Sequence, residues 1–276
     1  MSDHDSSVPP EDDINDLKAG DAKEIHRAVR EEGEAELERP ASSLMWSGVA
    51  AGFAITASLV TEGRIHAALP ESEWRPLVVA LGYPVGFAIV ILGRMQFFTE
   101  STITATLPLV THPSRYAVWR TLRLWALVLL ANLTGTAIAA AVVGGTAMTD
   151  PTVTEGMLSV SRQILAHGWW ATFMGAIPAG FLVASIAWVL PNAREHAVFV
   201  IFAITYVVGV AGFSHSVLGS SEAFTLMWHG NVGIGQALFG LIAPAVLGNL
   251  AGGAGLFALL AHGQVRGEMV EGGSER

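Results

Sequence analysis

From Ser42 onward the chain is a succession of long apolar segments, at approximately 44–66, 74–110, 119–145, 168–190, 197–228 and 232–262, parted by short polar stretches. A helix needs about 20 residues to cross the hydrocarbon core of a bilayer, and each segment offers that length or more. The pattern predicts an all-α membrane protein of six helices. The first forty residues break it. Ser, Asp and Glu dominate to residue 16, and Leu17 to Leu37 then reads as a strongly charged helix with a weak stripe of Leu17, Ile25, Val29 and Leu37. Such charge density points to a solvated lead-in helix, the alternative being a regulatory plug or a partner-binding helix. The polar, acidic start is unlike a cleaved signal peptide, so the apolar segments must direct insertion. The expected division is an acidic tail and helix over 1–40, a membrane domain over 41–265, and a C-terminal tail over 266–276.

Two of the six segments are interrupted. Segment two is apolar from Leu77 to Leu92, then reads Gly93-Arg94-Met95-Gln96-Phe97-Phe98-Thr99-Glu100-Ser101-Thr102. Segment five is apolar from Ala197 to Val210, then reads Gly212-Phe213-Ser214-His215-Ser216, with Gly219-Ser220-Ser221-Glu222 soon after. Unwound backbone at membrane depth survives only where it is buried in protein or lines a wet cavity, and paired Gly-interrupted segments in matching halves point to a transport site. The halves, about 42–145 and 165–262, do match. Phe98-Thr99-Glu100-Ser101 is echoed by Phe213-Ser214-His215-Ser216, 115 residues later, and Asn132-Leu133-Thr134-Gly135 by Asn249-Leu250-Ala251-Gly252, 117 residues later. Three segments per half force the halves into opposite orientations, an inverted repeat.

Composition agrees. Hydrophobic residues make up 51% of the chain and charged residues 14%, with a mean hydropathy of +0.48, against about 25% charged in soluble domains. The 30 glycines suit close helix approach within a bilayer. The net charge of −9 excludes a basic nucleic-acid face, and the absence of cysteine excludes disulfides and thiolate metal sites. Arg27, Arg30 and Arg39 in the N-terminal stretch, Arg115, Arg120 and Arg123 in one loop, Arg194 in another and Arg266 and Arg276 in the tail outnumber Arg64, Arg75 and Arg162 on the other side. Positive-inside bias then places both termini in the cytoplasm.

Several residues at the breaks carry candidate chemistry. His215, flanked by Ser214 and Ser216, is either a satisfied buried ring or a functional group, since intramembrane ionisable residues are functional candidates by default and imidazole can hand a proton to a passing anion. Glu100 stands opposite His215 in the 115-residue register. It either couples to His215 in the pore or braces the loop through a salt bridge to Arg94. Phe97, Phe98 and Val208 are gating candidates, with ordinary packing as the alternative. Asn132 and Asn249 are expected to hydrogen-bond backbone freed at the breaks, with Gly212 and Arg94 shaping the turns. Thr99, Ser101 and Ser216 offer hydroxyls that replace part of an ion's hydration shell or cap the half-helices.

Gly212-Phe213-Ser214-His215-Ser216, Phe97-Phe98-Thr99-Glu100-Ser101 and Gly248-Asn249-Leu250-Ala251-Gly252-Gly253 resemble the signatures of the formate/nitrite transporter family, over about residues 42–262 and in the family's order. The resemblance implies an aquaporin-like six-helix inverted repeat with helices two and five broken at midplane. It also implies a homopentamer with one pore per protomer in the inner (cytoplasmic) membrane, passing formate, nitrite or related weak acids. The family's central histidine falls on His215, its loop threonine on Thr99 and an aromatic of its outer constriction on Phe98, with Phe97 beside it. The chain departs from the family pattern at Ser214, where an acid is usual, and at Gly219, where an asparagine is usual. It also has no lysine beyond Lys23, where the family carries one near helix four.

The resemblance calls for no cofactor, no metal and no catalytic residue. Two other readings stand beside it. A neutral-solute or water channel would share the architecture, but the paired Asn-Pro-Ala boxes of aquaporins are absent, and Pro191-Asn192-Ala193 is a scrambled match in a loop. An intramembrane hydrolase using Ser214 or Ser216 with His215 would need a nucleophile, base and orienting acid in a geometry that sequence neighbours rarely present. A scaffold would not require polar, Gly-broken segments at matched positions.

Overall fold

The computed structural model describes residues 20–145 and 149–274. The acidic stretch over residues 1–16, and Leu17 of the expected stripe, lie outside the described residues. Among those described the chain is helical, with no strand.

The first helix, α1 (Ala22–Glu38), starts at a capping box in which Asp21 Oδ1 accepts from the amides of Lys23 and Glu24, and Glu24 Oε2 accepts from the amide of Asp21. It is docked, which corrects the expectation of a solvated helix. His26, Val29, Gly33 and Leu37 are buried along one face, and Val29 packs with Ile103, Leu107, Ala184, Ala187 and Ala258. A Cβ on Gly33 would stand 1.8 Å from the carbonyl oxygen of Thr104, so α1 lies directly on the backbone of the first half.

The membrane domain follows as α2 (Ala41–Ala68), α3 (Arg75–Leu92), α4 (Phe98–Thr104), α5 (Thr106–Thr111) and α6 (Arg115–Gly145). After α7 (Pro151–Ser161) come α8 (Trp169–Val189), α9 (Ala197–Val210), α10 (Ser216–Trp228) and α11 (Gln236–Gly267), whose backbone is π-helical over Gln236–Ile242 and Ala251–Phe257. Five helices are long and apolar enough to cross a membrane: α2, α3, α6, α8 with its extension to Asn192, and α11. The sequence predicted six. The fifth segment, 197–228, is divided into α9 of 14 residues and α10 of 13, each too short to cross alone.

The halves, α2–α6 and α8–α11, are built alike because small residues set the crossings. A Cβ on Gly52 of α2 would come within 2.1 Å of the Asn132 carbonyl oxygen on α6, and one on Gly180 of α8 within 2.4 Å of the Asn249 carbonyl oxygen on α11. Any side chain there would push apart the helices that carry the two asparagines. Large apolar residues such as Trp46, Trp119, Phe199 and Phe239 remain exposed around the outside, the arrangement of a bundle whose solvent is lipid or a neighbouring subunit.

Docking of α1 rests partly on a histidine pair. His26 is buried, its Nε2 lies 3.2 Å from Nδ1 of His262, and its ring stands edge-on to Trp188 at 6.3 Å. Burial, then His262 and Arg30, push the His26 pKa from 6.5 down to about 4. The docked ring therefore binds fewer protons than the free one. Docking is fully favoured above pH 6.5 and weakens as pH falls from 6.5 towards 4, by at most about 1.4 kcal/mol per pH unit. Hydrogen exchange over residues 22–38, corrected for intrinsic rates, should rise across that window in the native protein and stay flat in His26→Leu. An unchanged response in His26→Leu would assign the effect to another group.

Candidate functional site

Both breaks are made by the same backbone device. After α3 the chain passes through Arg94 at φ 49°, and after α9 through Gly212 at φ 64°, the left-handed region that favours glycine. The reversal lets Met95 donate to the Val90 carbonyl at 3.0 Å and Phe213 to the Val208 carbonyl at 3.1 Å. A half-helix then begins on each side, with Phe97 and His215 at the N-cap positions.

The first amide of each half-helix is held from the last helix of its half. Asn132 Oδ1 accepts from the amide of Phe98 and Asn249 Oδ1 from that of Ser216, both at 2.9 Å. Asn132 Nδ2 donates to the carbonyls of Gly48 and Gln96, and Asn249 Nδ2 to those of Ala176 and Ser214. Each asparagine ties three segments together at the point where helix hydrogen bonds are missing. These matched pairs fix a register of 118 residues, Phe98 with Ser216 and Gln96 with Ser214. That corrects the 115-residue register read from side-chain identities. The counterpart of His215 is Phe97, not Glu100.

The two half-helices meet near their starts. Thr99 Oγ1 and Ser216 Oγ, both buried, lie 3.3 Å apart, and Ser220 Oγ of α10 lies 2.9 Å from Thr136 Oγ1 of α6. The Phe97 ring stacks on His215 at 5.5 Å and 12°, and Phe87 stands edge-on to His215 at 5.0 Å. His215 Nδ1 accepts from the amides of Val217 and Leu218, each at 3.3 Å. An imidazole that accepts at Nδ1 carries its proton at Nε2. That Nε2 has no hydrogen-bond partner among the described residues, and His215 lines a cavity of about 130 Å³ whose exposed lining residues include Gln163, His167 and Gly212. Phe97, Phe98, Thr99, Val208 and Ser216 are buried, and none of them lines either this cavity or the one on the α1 face. Ser214 and Gly212 do line the His215 cavity.

A second cavity, of about 580 Å³, opens on the α1 face and is lined by Glu32, Glu36, Arg39, Arg94 and Glu100. Glu36 Oε1 accepts from Gln96 Nε2 at 2.9 Å and its Oε2 from Thr104 Oγ1 at 2.5 Å, while Arg39 Nη1 donates to Gln96 Oε1 at 2.7 Å. Burial raises the Glu36 carboxyl above its ordinary value, and the Thr104 and Gln96 hydrogen bonds oppose the rise. Neither expected partner of Glu100 is bonded to it. Arg94 is paired with Glu32 of α1, and His215 lines the other cavity. The reason is the register: Glu100 lies one turn into α4 and faces α1, while the N-cap position beside His215 belongs to Phe97.

Residues 23–263 match the family model described as "Formate/nitrite transporter". The chain belongs to the formate/nitrite transporter family. It is 35% identical over 248 residues to the inner membrane protein YfdC of Escherichia coli (strain K12), covering 90% of this chain and 80% of the relative. A solved pentameric formate channel with formate bound has a TM-score of 0.68 at 17% identity, over 82% of this chain and 97% of that one. An FNT family ion channel has a TM-score of 0.67 at 18% identity, over 90% and 96%. At those identities the solved structures speak for the fold, and the fold is that of the formate/nitrite channels.

Sequence reasoning missed three groups that this family member places around His215: Glu62 of α2, Tyr83 of α3 and Glu222 of α10, all lining the same cavity. A signal was available for two of them. Glu62 is the sole acidic residue between 44 and 66, and Glu222 the sole one between 197 and 228. An isolated acid in an apolar segment is costly to bury and marks a site.

Proposed function

We propose that this chain is a channel-like transporter of small monovalent anions or weak acids, formate or nitrite among them, working as a multi-pass inner-membrane homopentamer with one pore per protomer. The observation that carries the reading is the His215 ring. It is stacked against Phe97 where the two half-helices meet, the residue lines a cavity, and its buried Nε2 has no hydrogen-bond partner among the described residues. A passing acid or anion can accept a hydrogen bond from that nitrogen, while the buried hydroxyls of Thr99 and Ser216 bond to each other where the half-helices meet. Pentamer assembly follows from the pentameric relative of the same fold, the inner membrane from YfdC, and cytoplasmic termini from the arginine bias.

The test is flux into liposomes carrying the purified full-length protein, comparing formate, nitrite, hydrosulfide, acetate and glycerol at two pH values. Uptake of the weak acids above empty liposomes, with glycerol excluded, is the expected result. Glycerol uptake without acid uptake would replace the reading with a neutral-solute channel, and uptake of nothing would overturn it.

A further inference from the structure

The cavity around His215 gathers two carboxyl groups and no lysine or arginine among its lining residues. Glu62 is 5% exposed and Tyr83 7%, and Glu62 Oε2 and Tyr83 Oη both lack a hydrogen-bond partner among the described residues. Glu222 lines the same cavity, and its charge acts on both Glu62 and Tyr83. Neither nearby arginine answers these acids. Arg162, next to Gln163, is turned away to Glu155 at 2.7 Å, and Arg64 of α2 is exposed. The helix ends add to the same sign. Gly209, near the carboxyl end of α9, lines the cavity, and that end of a helix carries partial negative charge. The amino end of α10, of opposite sign, is already engaged by Asn249 Oδ1 and His215 Nδ1. Backbone packs closely on the acidic wall: a Cβ on Gly82 would stand 2.9 Å from Glu62 Cγ, and one on Gly209 2.9 Å from Tyr83 Cγ.

We infer that Glu62, Glu222 and Tyr83 form a binding site for a small monovalent cation rich in N–H donors, an ammonium or methylammonium ion. What the cavity binds is a separate matter from the solute that the pore passes. Two carboxyl groups in apolar segments are costly to bury unless something offsets their charge, and no side chain of the wall does so. A cation held there gives the wall the positive charge that its side chains lack. Ammonium directs N–H groups in four directions, which suits acceptors spread over three helices: Glu62 on α2, Tyr83 on α3 and Glu222 on α10. Tyr83 Oη can accept alongside the carboxylates, and the charge of the donor strengthens each bond. A divalent metal needs its ligands gathered at about 2.0–2.6 Å, and no group of three histidine or acidic side chains among the described residues is so placed. The cavity volume of about 130 Å³ admits an ion of one or two heavy atoms. His215 Nε2–H is a donor and takes no part in holding the cation.

The experiment uses the purified full-length protein in an uncharged detergent at neutral pH, with chloride salts exchanged at constant ionic strength. Thermal midpoint and titration calorimetry are the readouts. Ammonium and methylammonium are expected to raise the midpoint above its value in sodium or potassium, with a concentration dependence that follows the calorimetric affinity. Tetramethylammonium, with the same charge and no N–H group, should match sodium. Glu62→Gln and Glu222→Gln each keep the side-chain size and remove one charge, and each should weaken ammonium binding about tenfold or more. Ammonium indistinguishable from sodium or potassium in the native protein would overturn the inference, and the carboxyl groups would then be satisfied by protons of their own. An ammonium effect that persists unchanged in both variants would place the cation elsewhere and overturn it too. The native series decides the matter even if a variant folds poorly. Weak-acid flux in liposomes, present or absent, bears on the transport reading alone.

Discussion

Asn249→Ala is expected to remove several kcal/mol of stability and to drop the thermal midpoint of the detergent-solubilised protein steeply. Asn249 is fully buried and makes three hydrogen bonds, from the amide of Ser216 and to the carbonyls of Ala176 and Ser214, at 2.9, 2.8 and 3.2 Å. Alanine satisfies none of them. Each buried backbone group left without a partner costs about 1–3 kcal/mol, so the sum falls near 3–9 kcal/mol before relaxation. Asn132→Ala should act alike, because it abandons the amide of Phe98 and the carbonyls of Gly48 and Gln96. Thr134→Ala is the control. Its hydroxyl is exposed and returns only to the Leu130 carbonyl of its own helix. A midpoint for Asn249→Ala no lower than that of Thr134→Ala would show that the asparagine does not brace the break.

Much of this bracing was legible in the sequence. The apolar periods located the helices, the glycine-rich polar stretches located both breaks, and the two asparagines were expected to serve freed backbone. The register was not legible. Matching letters aligned Phe98-Thr99-Glu100-Ser101 with Phe213-Ser214-His215-Ser216, whereas backbone geometry aligns Phe97 with His215. Letters mislead here because the asparagines satisfy the first amide of each half-helix from outside, so the residue type at the N-cap position can differ between the halves. Phe97 makes no side-chain cap bond and His215 does. Likewise Arg94 occupies the left-handed position that Gly212 fills in the other half. Its guanidinium reaches Glu32 of α1, a contact that no local pattern could announce because Glu32 lies 62 residues earlier in the chain.

Docking of α1 escapes a sequence reading for a related reason. Its buried face consists of four narrow contacts, one of them a glycine and one a histidine, rather than a stripe of large apolar side chains. Charge on the remaining faces hid a docking surface. The acidic pair in the other cavity was hidden differently. Glu62 and Glu222 lie 160 residues apart on α2 and α10, and only the fold brings both to the cavity that Tyr83 lines.

His215→Asn is expected to leave the fold intact and to cut weak-acid flux by about tenfold or more, equivalent to about 1.4 kcal/mol of lost stabilisation at the constriction. The ring has two separable duties. Nδ1 caps α10 by accepting from the amides of Val217 and Leu218, while Nε2–H is left without a partner among the described residues in a ring that lines the cavity. Asparagine is among the best N-cap residues, so its side-chain oxygen can take over the first duty. Its side chain is shorter, with no aromatic face to stack on Phe97 and no ring nitrogen at the cavity. The thermal midpoint should therefore stay near the native value while flux of formate or nitrite collapses. His215→Leu supplies the contrast. It removes the cap as well, at a further cost of about 0.5–2 kcal/mol, so stability and flux should fall together. Native-like flux in a folded His215→Asn protein would remove the imidazole from the transport step and leave it as a helix cap.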